Sequence, residues 1–165
     1  MENVCMKDKG QLEAQTDDFF PVVEELIRGG GQVKITVTGN SMYPMLRDRA
    51  DSVVLTAPPQ KLKRFELPLY RRENGKYVLH RILKIKNGMY TMCGDNQTTL
   101  ENDVAREQIV AVAKEFCRNG KTISCTNPLY RLAAALWGVL RPFRPQLLHF
   151  YLKLRKITNK RREKR

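Results

Sequence analysis

The chain has 165 residues, of which 42% are hydrophobic, so it is long enough for one domain with a real core, and wholesale disorder is not expected. Its formal net charge is +13. Residues 128–165 contain eleven Lys and Arg residues against Glu163 alone, a net of +10, which leaves +3 for residues 1–127. The charge therefore predicts a nearly balanced body followed by a strongly basic tail.

Cysteine usage argues against a metal site. The four cysteines form no CxxC pair and lie near no His-rich segment, so we predict no metal and no cofactor, and we expect four reduced thiols.

No segment has the character of a membrane span or a signal peptide. Residues 1–15 are polar and charged, which predicts a flexible leader, and the apolar run at 132–140 is about half of the roughly 20 residues that a spanning helix needs. We therefore expect a cytoplasmic protein, with peripheral attachment to the inner face of the membrane as an alternative.

The first elements in chain order are a short helix and two strands. Residues 16–31 have helical spacing of apolar side chains and end in three glycines, Gly29 to Gly31. Residues 33–38 alternate apolar and polar side chains, which predicts a half-buried strand leading to Ser41. A second strand is predicted at 50–57, where Pro58 and Pro59 end it.

Two hairpins and two helices complete the prediction. Asn87-Gly88 and Asn119-Gly120 each separate apolar runs, a pattern typical of tight hairpin turns. Residues 16–127 should thus form a mainly antiparallel β body. Residues 128–165 should form a basic amphipathic tail of two helices, separated by the break between Pro142 and Pro145.

Three separated segments carry residues that could act together in catalysis. Ser41 lies in "GNSMYP", His80 in "LHRI" and Asp95 in "GDN". Because a serine hydroxyl is rarely ionised at neutral pH, it needs a base such as histidine, which a carboxylate can orient. The hairpin fold-back predicts that His80 and Asp95 lie close together.

These segments, in this order, resemble the signal peptidase I superfamily, which also contains the self-cleaving peptidases of the SOS response. The likeness covers about residues 33–116. Most bacterial members use a Ser-Lys dyad, whereas the archaeal, endoplasmic-reticulum and sporulation-type branch has His-Arg at that place, as His80-Arg81 does here.

The resemblance implies the fold and the role of each site residue. The fold would be the signal-peptidase-like and SOS-repressor-like antiparallel β body, with a short N-terminal helix and two C-terminal helices. Ser41 would be the nucleophile and His80 the general base, with Asp95 or Asp103 orienting the imidazole. The oxyanion and substrate site would involve Ser41, Met42 and Asn40. The expected activity is a serine endopeptidase that acts through an acyl-enzyme on a polypeptide substrate.

The basic tail leaves three interpretations open. It packs on the body with its charges solvated, it binds an anionic membrane surface through residues 128–165, or it binds nucleic acid. The third is the least expected, because no helix-turn-helix pattern precedes the peptidase segment. The sequence assigns no oligomeric state. The alternatives to a peptidase are a non-catalytic binding module with a basic tail and a self-cleaving DNA-binding regulator.

Overall fold

The computed structural model describes residues 16–147, 149, 150 and 153, and it is mainly β, as predicted. Two antiparallel sheets form a curled half-barrel, with one helix on the N-terminal side and two on the C-terminal side. The helices and strands are α1 Thr16–Arg28, β1 Val33–Thr36, β2 Ser52–Thr56, β3 Pro68–Arg71, β4 Tyr77–Leu79, β5 Arg81–Lys86, β6 Met89–Cys93, β7 Glu101–Val104, β8 Ile109–Arg118, β9 Lys121–Ser124 and α2 Pro128–Val139.

The larger sheet has the order β1-β2-β8-β3-β4, and β9 pairs with β8. Helix α1 packs on it through Val23 and Ile27, which are buried among apolar side chains of β1, β2, β3 and β8. The remaining contacts of α1 include the stacking of Phe20 on Tyr77 of β4. This burial of one helix face holds the curled sheet around a single core.

The smaller sheet has the order β5-β6-β7 and shares a second core with the larger one. Tyr70 of β3 lies in that core with Ile82, Met92 and Val104 from the smaller sheet. The two sheets are therefore fixed against each other by buried apolar contact close to where β4 ends and β5 begins.

Both predicted hairpin turns are confirmed. Asn87 and Gly88 have φ values of 50° and 78°, and Asn119 and Gly120 have 51° and 77°. Two consecutive residues with positive φ define the primed turn that matches the twist of antiparallel strands, and Asn-Gly tolerates that conformation better than other pairs.

The strand expected to run through His80 is divided there. Tyr77–Leu79 pairs with β3 in the larger sheet, whereas Arg81–Lys86 pairs with β6 in the smaller one. His80 is the residue at which the chain crosses from one sheet to the other. This position is buried and lies at the junction between two rigid elements.

The C-terminal part begins with α2, where Pro128 occupies the first turn and the Asn127 side chain accepts hydrogen bonds from the N–H groups of Leu129 and Tyr130. A short 3-10 turn, Arg141–Phe143, leads into a further helix whose described residues are 144–147, 149, 150 and 153. The predicted leader at 1–15, and most of the residues after 150, lie outside the described residues.

The thiols agree only in part with the expectation of four reduced cysteines. Cys93 and Cys125 are free, but Cys117 takes part in a disulfide, so the expectation was wrong for that residue.

Candidate active site

Ser41 opens a tight turn that follows β1. Gly39 has a φ of 82°, a conformation that glycine adopts without strain, and its N–H donates to Asp48 Oδ1 at 2.7 Å. Met42 is almost fully buried in the core, and its carbonyl accepts from the Leu46 N–H at 2.8 Å. The turn that carries Ser41 is thereby attached to the body on both sides of the serine.

A buried carboxylate braces the far end of the same turn. Asp51 is buried and accepts hydrogen bonds from both Arg47 and Arg118, and these bonds hold its pKa below the usual value even though burial alone would raise it. Arg118 also donates to the carbonyls of Pro44 and Met45, at 3.2 and 2.6 Å. The backbone just after Ser41 is thus held by a charged network.

The Gly-Asp-Asn segment lies directly against Ser41. The Asn96 N–H donates to the Ser41 carbonyl at 2.8 Å, and a Cβ atom on Gly94 would lie only 2.6 Å from that same oxygen. No residue other than glycine fits at this approach, which gives the glycine of the segment a role in positioning the serine.

Strand register brings His80 to the same place. Arg81 at the start of β5 pairs with Cys93 at the end of β6, so His80 and Gly94 are the next residues outward from that pair. Neighbouring strands lie roughly 5 Å apart. Gly94 thus lies against Ser41 and directly follows the strand that pairs beside His80, although among the described residues no hydrogen bond joins the Ser41 hydroxyl to His80.

The carboxylate that contacts His80 is Glu101, which the sequence analysis did not select. Its Oε1 atom lies 2.9 Å from His80 Nδ1. Glu101 is the first residue of β7 and pairs with Met92 of β6, and Met92 in turn pairs with Ile82 of β5. The Glu101 side chain is therefore on the same face of the sheet as the Ile82 side chain. His80 precedes Ile82 by two residues, so its side chain points to that face as well. Register across three strands thus positions this carboxylate.

Two further side chains hold Glu101 in place. Arg72 donates to both of its carboxylate oxygens, at 2.7 and 2.6 Å, in a two-bond arrangement. The fully buried Tyr70 hydroxyl hydrogen-bonds to Glu101 and lies 3.3 Å from His80 Nδ1. Burial of Tyr70 beside the Glu101 carboxylate raises the pKa of the phenol, which therefore stays protonated and acts as a donor.

The protonation states suit a neutral base paired with an ionised carboxylate. Burial lowers the pKa of His80 below its ordinary value of 6.5, and the opposing attraction of Glu101 does not restore it. Burial opposes ionisation of Glu101, but hydrogen bonds from Arg72 and Tyr70 outweigh it and lower the pKa of that carboxylate. At neutral pH His80 is uncharged, and its Nδ1–H donates to Glu101.

That tautomer leaves the second ring nitrogen as the proton acceptor. Within the described part of the chain, every fully buried side-chain nitrogen or oxygen has a hydrogen-bond partner. The Nε2 atom of His80 has no such partner there, although the residue is only 1% exposed. Nε2 therefore keeps a small contact with solvent.

Backbone donors are present on the serine turn. Neither the N–H of Ser41 nor that of Met42 donates a hydrogen bond to another described residue, so both are available to an oxyanion. Asn40, the third residue predicted for this role, is exposed, and its carbonyl accepts from the Tyr43 N–H at 3.2 Å. The side chain of Met42 is in the core, so only its backbone can face a substrate.

Among the described residues, neither of the two predicted acidic partners hydrogen-bonds to His80. Asp95 is fully buried and binds Arg81 through both oxygens, at 2.9 and 2.7 Å, so its contact is with the neighbour of His80. Asp103 is exposed, and its backbone has a φ of 57°. The structure brings Ser41, His80 and Asp95 to one region, but the hydrogen bond to His80 comes from Glu101.

Side chains of the C-terminal segment hydrogen-bond to the loop at 94–97. The Trp137 indole donates to the Asp95 carbonyl at 2.8 Å, and the buried Arg144 donates to the carbonyls of Gly94 and Gln97, at 2.8 and 2.9 Å. Helix α2 and the residues after it therefore form part of the support for the loop that contacts Ser41.

Among the described residues, no group of three or more His, Cys, Asp or Glu side chains could hold a metal ion. None of the helices in that part of the chain is long and apolar enough to span a bilayer. In the comparisons with known proteins, no family model, curated protein or solved structure matches the chain.

Proposed function

We propose that the protein is a serine endopeptidase in which Ser41 is the nucleophile, His80 the general base and Glu101 the residue that orients His80. The observation that carries the proposal is the state of the imidazole. Its Nδ1–H is bound to an ionised carboxylate, its Nε2 has no hydrogen-bond partner among the described residues, and the loop at 94–96 contacts the Ser41 turn. This arrangement is the one that activates a serine hydroxyl.

The first half of the reaction forms an ester with the enzyme. His80 Nε2 removes the hydroxyl proton as Ser41 Oγ attacks the carbonyl carbon of the substrate peptide. The N–H groups of Ser41 and Met42 stabilise the oxyanion that develops. The protonated imidazole, held by Glu101, then gives its proton to the departing amine, so that the C–N bond breaks and an acyl-enzyme remains.

The second half regenerates the enzyme. His80 Nε2 takes a proton from a water molecule as that water attacks the ester carbonyl. The C–O bond to Ser41 breaks, Ser41 Oγ receives the proton back, and a carboxylic acid product leaves. Each proton taken by His80 is returned, so the cycle needs no cofactor.

One edge of the larger sheet supports binding of an extended peptide. Among the described strands, β4 pairs only with β3, so its other edge faces no described strand. Strand β4 ends at Leu79, immediately before His80. A peptide that pairs with this edge would be guided to the base, while its side chains determine specificity.

A peptide-library experiment tests the activity. The purified protein is incubated with a mixture of synthetic peptides near neutral pH, and new peptide termini are identified by mass spectrometry. We expect cleavage by the wild type and by a Ser124→Ala control, and none by Ser41→Ala or His80→Ala. Cleavage that persists in a folded Ser41→Ala protein would falsify the assignment of the nucleophile.

The same experiment separates the alternatives. A self-cleaving regulator would instead show a loss of intact mass in the protein itself, abolished by Ser41→Ala, together with DNA binding that weakens with salt. A non-catalytic module would yield no new termini with any variant.

A further inference from the structure

The C-terminal segment has two faces, of which one contacts the body and the other is apolar and exposed. The inner face contacts the body through residues spaced by three or four positions: Tyr130, Ala134, Trp137, Arg141 and Arg144. The outer face consists of large apolar side chains at the same spacing, all of them exposed: Leu129, Leu132, Leu136, Val139, Phe143, Leu147 and Phe150. We call this second set the outer stripe.

The outer stripe is unusual for a surface in contact with water. Leu129 is 76% exposed and Val139 70% exposed, and the stripe continues through the 3-10 turn into the last helix. A helical surface of this spacing normally faces a core. Since the inner face already attaches the segment to the body, the stripe is not needed to hold the segment in place.

The charge around the stripe selects the kind of partner. Residues 128–162 contain no Asp or Glu, whereas residues 128–165 contain eleven Lys and Arg residues. Arg131 and Lys153 belong to the described part of this segment and are not among the inner-face residues. Large aliphatic and aromatic side chains flanked only by positive charge suit the headgroup region of an anionic bilayer. Nucleic acid would use the positive charge but would leave the leucines exposed to water.

The rest of the chain offers little to cover the stripe. Residues 154–165 contain seven Lys and Arg residues, with Leu154 and Ile157 as the only large apolar side chains. Residues 1–15 are mostly polar, with Val4, Met6 and Leu12 among three acidic and two basic side chains. Neither segment has enough apolar side chains to match the stripe.

We propose that the outer stripe is a docking surface for an anionic lipid bilayer, on which the C-terminal segment lies parallel to the membrane. The apolar side chains enter the boundary between headgroups and acyl chains, and the basic side chains contact lipid phosphates. The loop at 94–98, which the inner face holds, is then about one helix diameter, roughly 10 Å, from the lipid.

Vesicle sedimentation tests this docking surface independently of any peptidase activity. The full chain is incubated with vesicles of phosphatidylcholine alone or of phosphatidylcholine with about 30% phosphatidylglycerol. We expect most of the protein to sediment with the anionic vesicles and little with the neutral ones. Leu132→Glu/Leu136→Glu should abolish sedimentation, whereas Gln32→Glu/Gln60→Glu, which adds the same charge at exposed positions outside the stripe, should retain it.

Other results would overturn the proposal. The proposal is wrong if the wild type remains in the supernatant with anionic vesicles. It is also wrong if Leu132→Glu/Leu136→Glu binds these vesicles as well as the wild type does. If gel filtration without lipid shows a dimer that the same double substitution dissociates, the stripe is instead an interface between two copies. Circular dichroism melting confirms that both variants are folded, and Ser41→Ala should bind vesicles as the wild type does.

Discussion

At the scale of single residues, the contact between Glu101 and His80 Nδ1 leaves Nε2 as the ring nitrogen that would accept the serine proton in the proposed reaction. Glu101→Gln replaces an ionised acceptor with a neutral amide, so the protonated imidazole loses its stabilising partner. We expect kcat/KM for a cleaved peptide to fall by about 100-fold or more, as at other serine-histidine-carboxylate sites. The assay is initial-rate kinetics on a peptide identified from the library.

Asp103→Asn is the matched control for that substitution, because it also neutralises a carboxylate in β7 but at an exposed position without contact to His80. Its kcat/KM should remain close to that of the wild type. The assignment of Glu101 is wrong if Asp103→Asn impairs cleavage as strongly as Glu101→Gln does.

The lowered pKa of His80 predicts the pH dependence of the proposed peptidase activity. In that proposal His80 acts as a base only when neutral, so kcat/KM should be constant at neutral pH and should decline as the pH falls through the pKa of His80 in the folded protein. Because burial lowers that pKa, the midpoint should lie below 6.5. A pH profile of kcat/KM with an acidic midpoint above 6.5 would contradict this account.

Ser41 and His80 could be proposed from the sequence as a catalytic pair, and they stay a prediction, because each lies in a short, recognisable segment. Glu101 could not, because its role depends on the register among β5, β6 and β7, and a one-residue shift would turn its side chain to the opposite face. The prediction favoured Asp95 because it is close to His80 along the hairpin. That closeness is real, but the adjacent Arg81 binds the carboxylate.

At the scale of elements, the loop after β6 is fitted to the serine turn through Gly94. Gly94→Ala would place a Cβ atom 2.6 Å from the Ser41 carbonyl oxygen, so one of the two backbone segments must move. Displacement of a catalytic group by about 1 Å costs on the order of 100-fold in rate. Overpacking of this kind also costs roughly 1–3 kcal/mol of stability. We expect both losses, measured by peptide kinetics and by urea unfolding.

Gly29→Ala serves as the control, since its added Cβ would lie 3.5 Å from the nearest backbone oxygen, an ordinary contact at the end of α1. It should leave both activity and stability nearly unchanged. Wild-type kinetics in Gly94→Ala would show that the loop does not position Ser41.

The turns between strands were predictable, whereas the division of one strand was not. Asn-Gly pairs at 87–88 and 119–120 impose their own conformation, so local chemistry was sufficient. The apolar run on either side of His80 is continuous in the sequence, and only the pairing of each half with a different sheet separates β4 from β5. Long-range pairing of this sort leaves no local signal.

At the scale of the whole molecule, buried and half-buried groups with lowered pKa values make the fold sensitive to acid. The pKa values of His80, Glu101 and Asp51 are all lower in the folded state than their ordinary values of 6.5, 4.5 and 3.8. Their contribution to stability is therefore complete above those ordinary values and is lost as the pH falls, because the unfolded chain binds protons first.

The loss should begin near pH 6.5 with His80 and become steeper below 4.5. Each group adds at most about 1.4 kcal/mol per pH unit to the slope of the unfolding free energy. Urea unfolding at a series of pH values measures this slope. A stability that rises from pH 7 to pH 5 would be inconsistent with the lowered pKa values of these groups.

The most direct test of the central claim is covalent labelling of Ser41. The wild type, Ser41→Ala, Glu101→Gln and a Ser124→Ala control are incubated near neutral pH with a penem-type β-lactam, which acylates an activated serine, and intact masses are measured. We predict one adduct on the wild type and on Ser124→Ala, slower labelling of Glu101→Gln, and none on Ser41→Ala. An unlabelled wild type, or an adduct that persists in Ser41→Ala, would contradict the account.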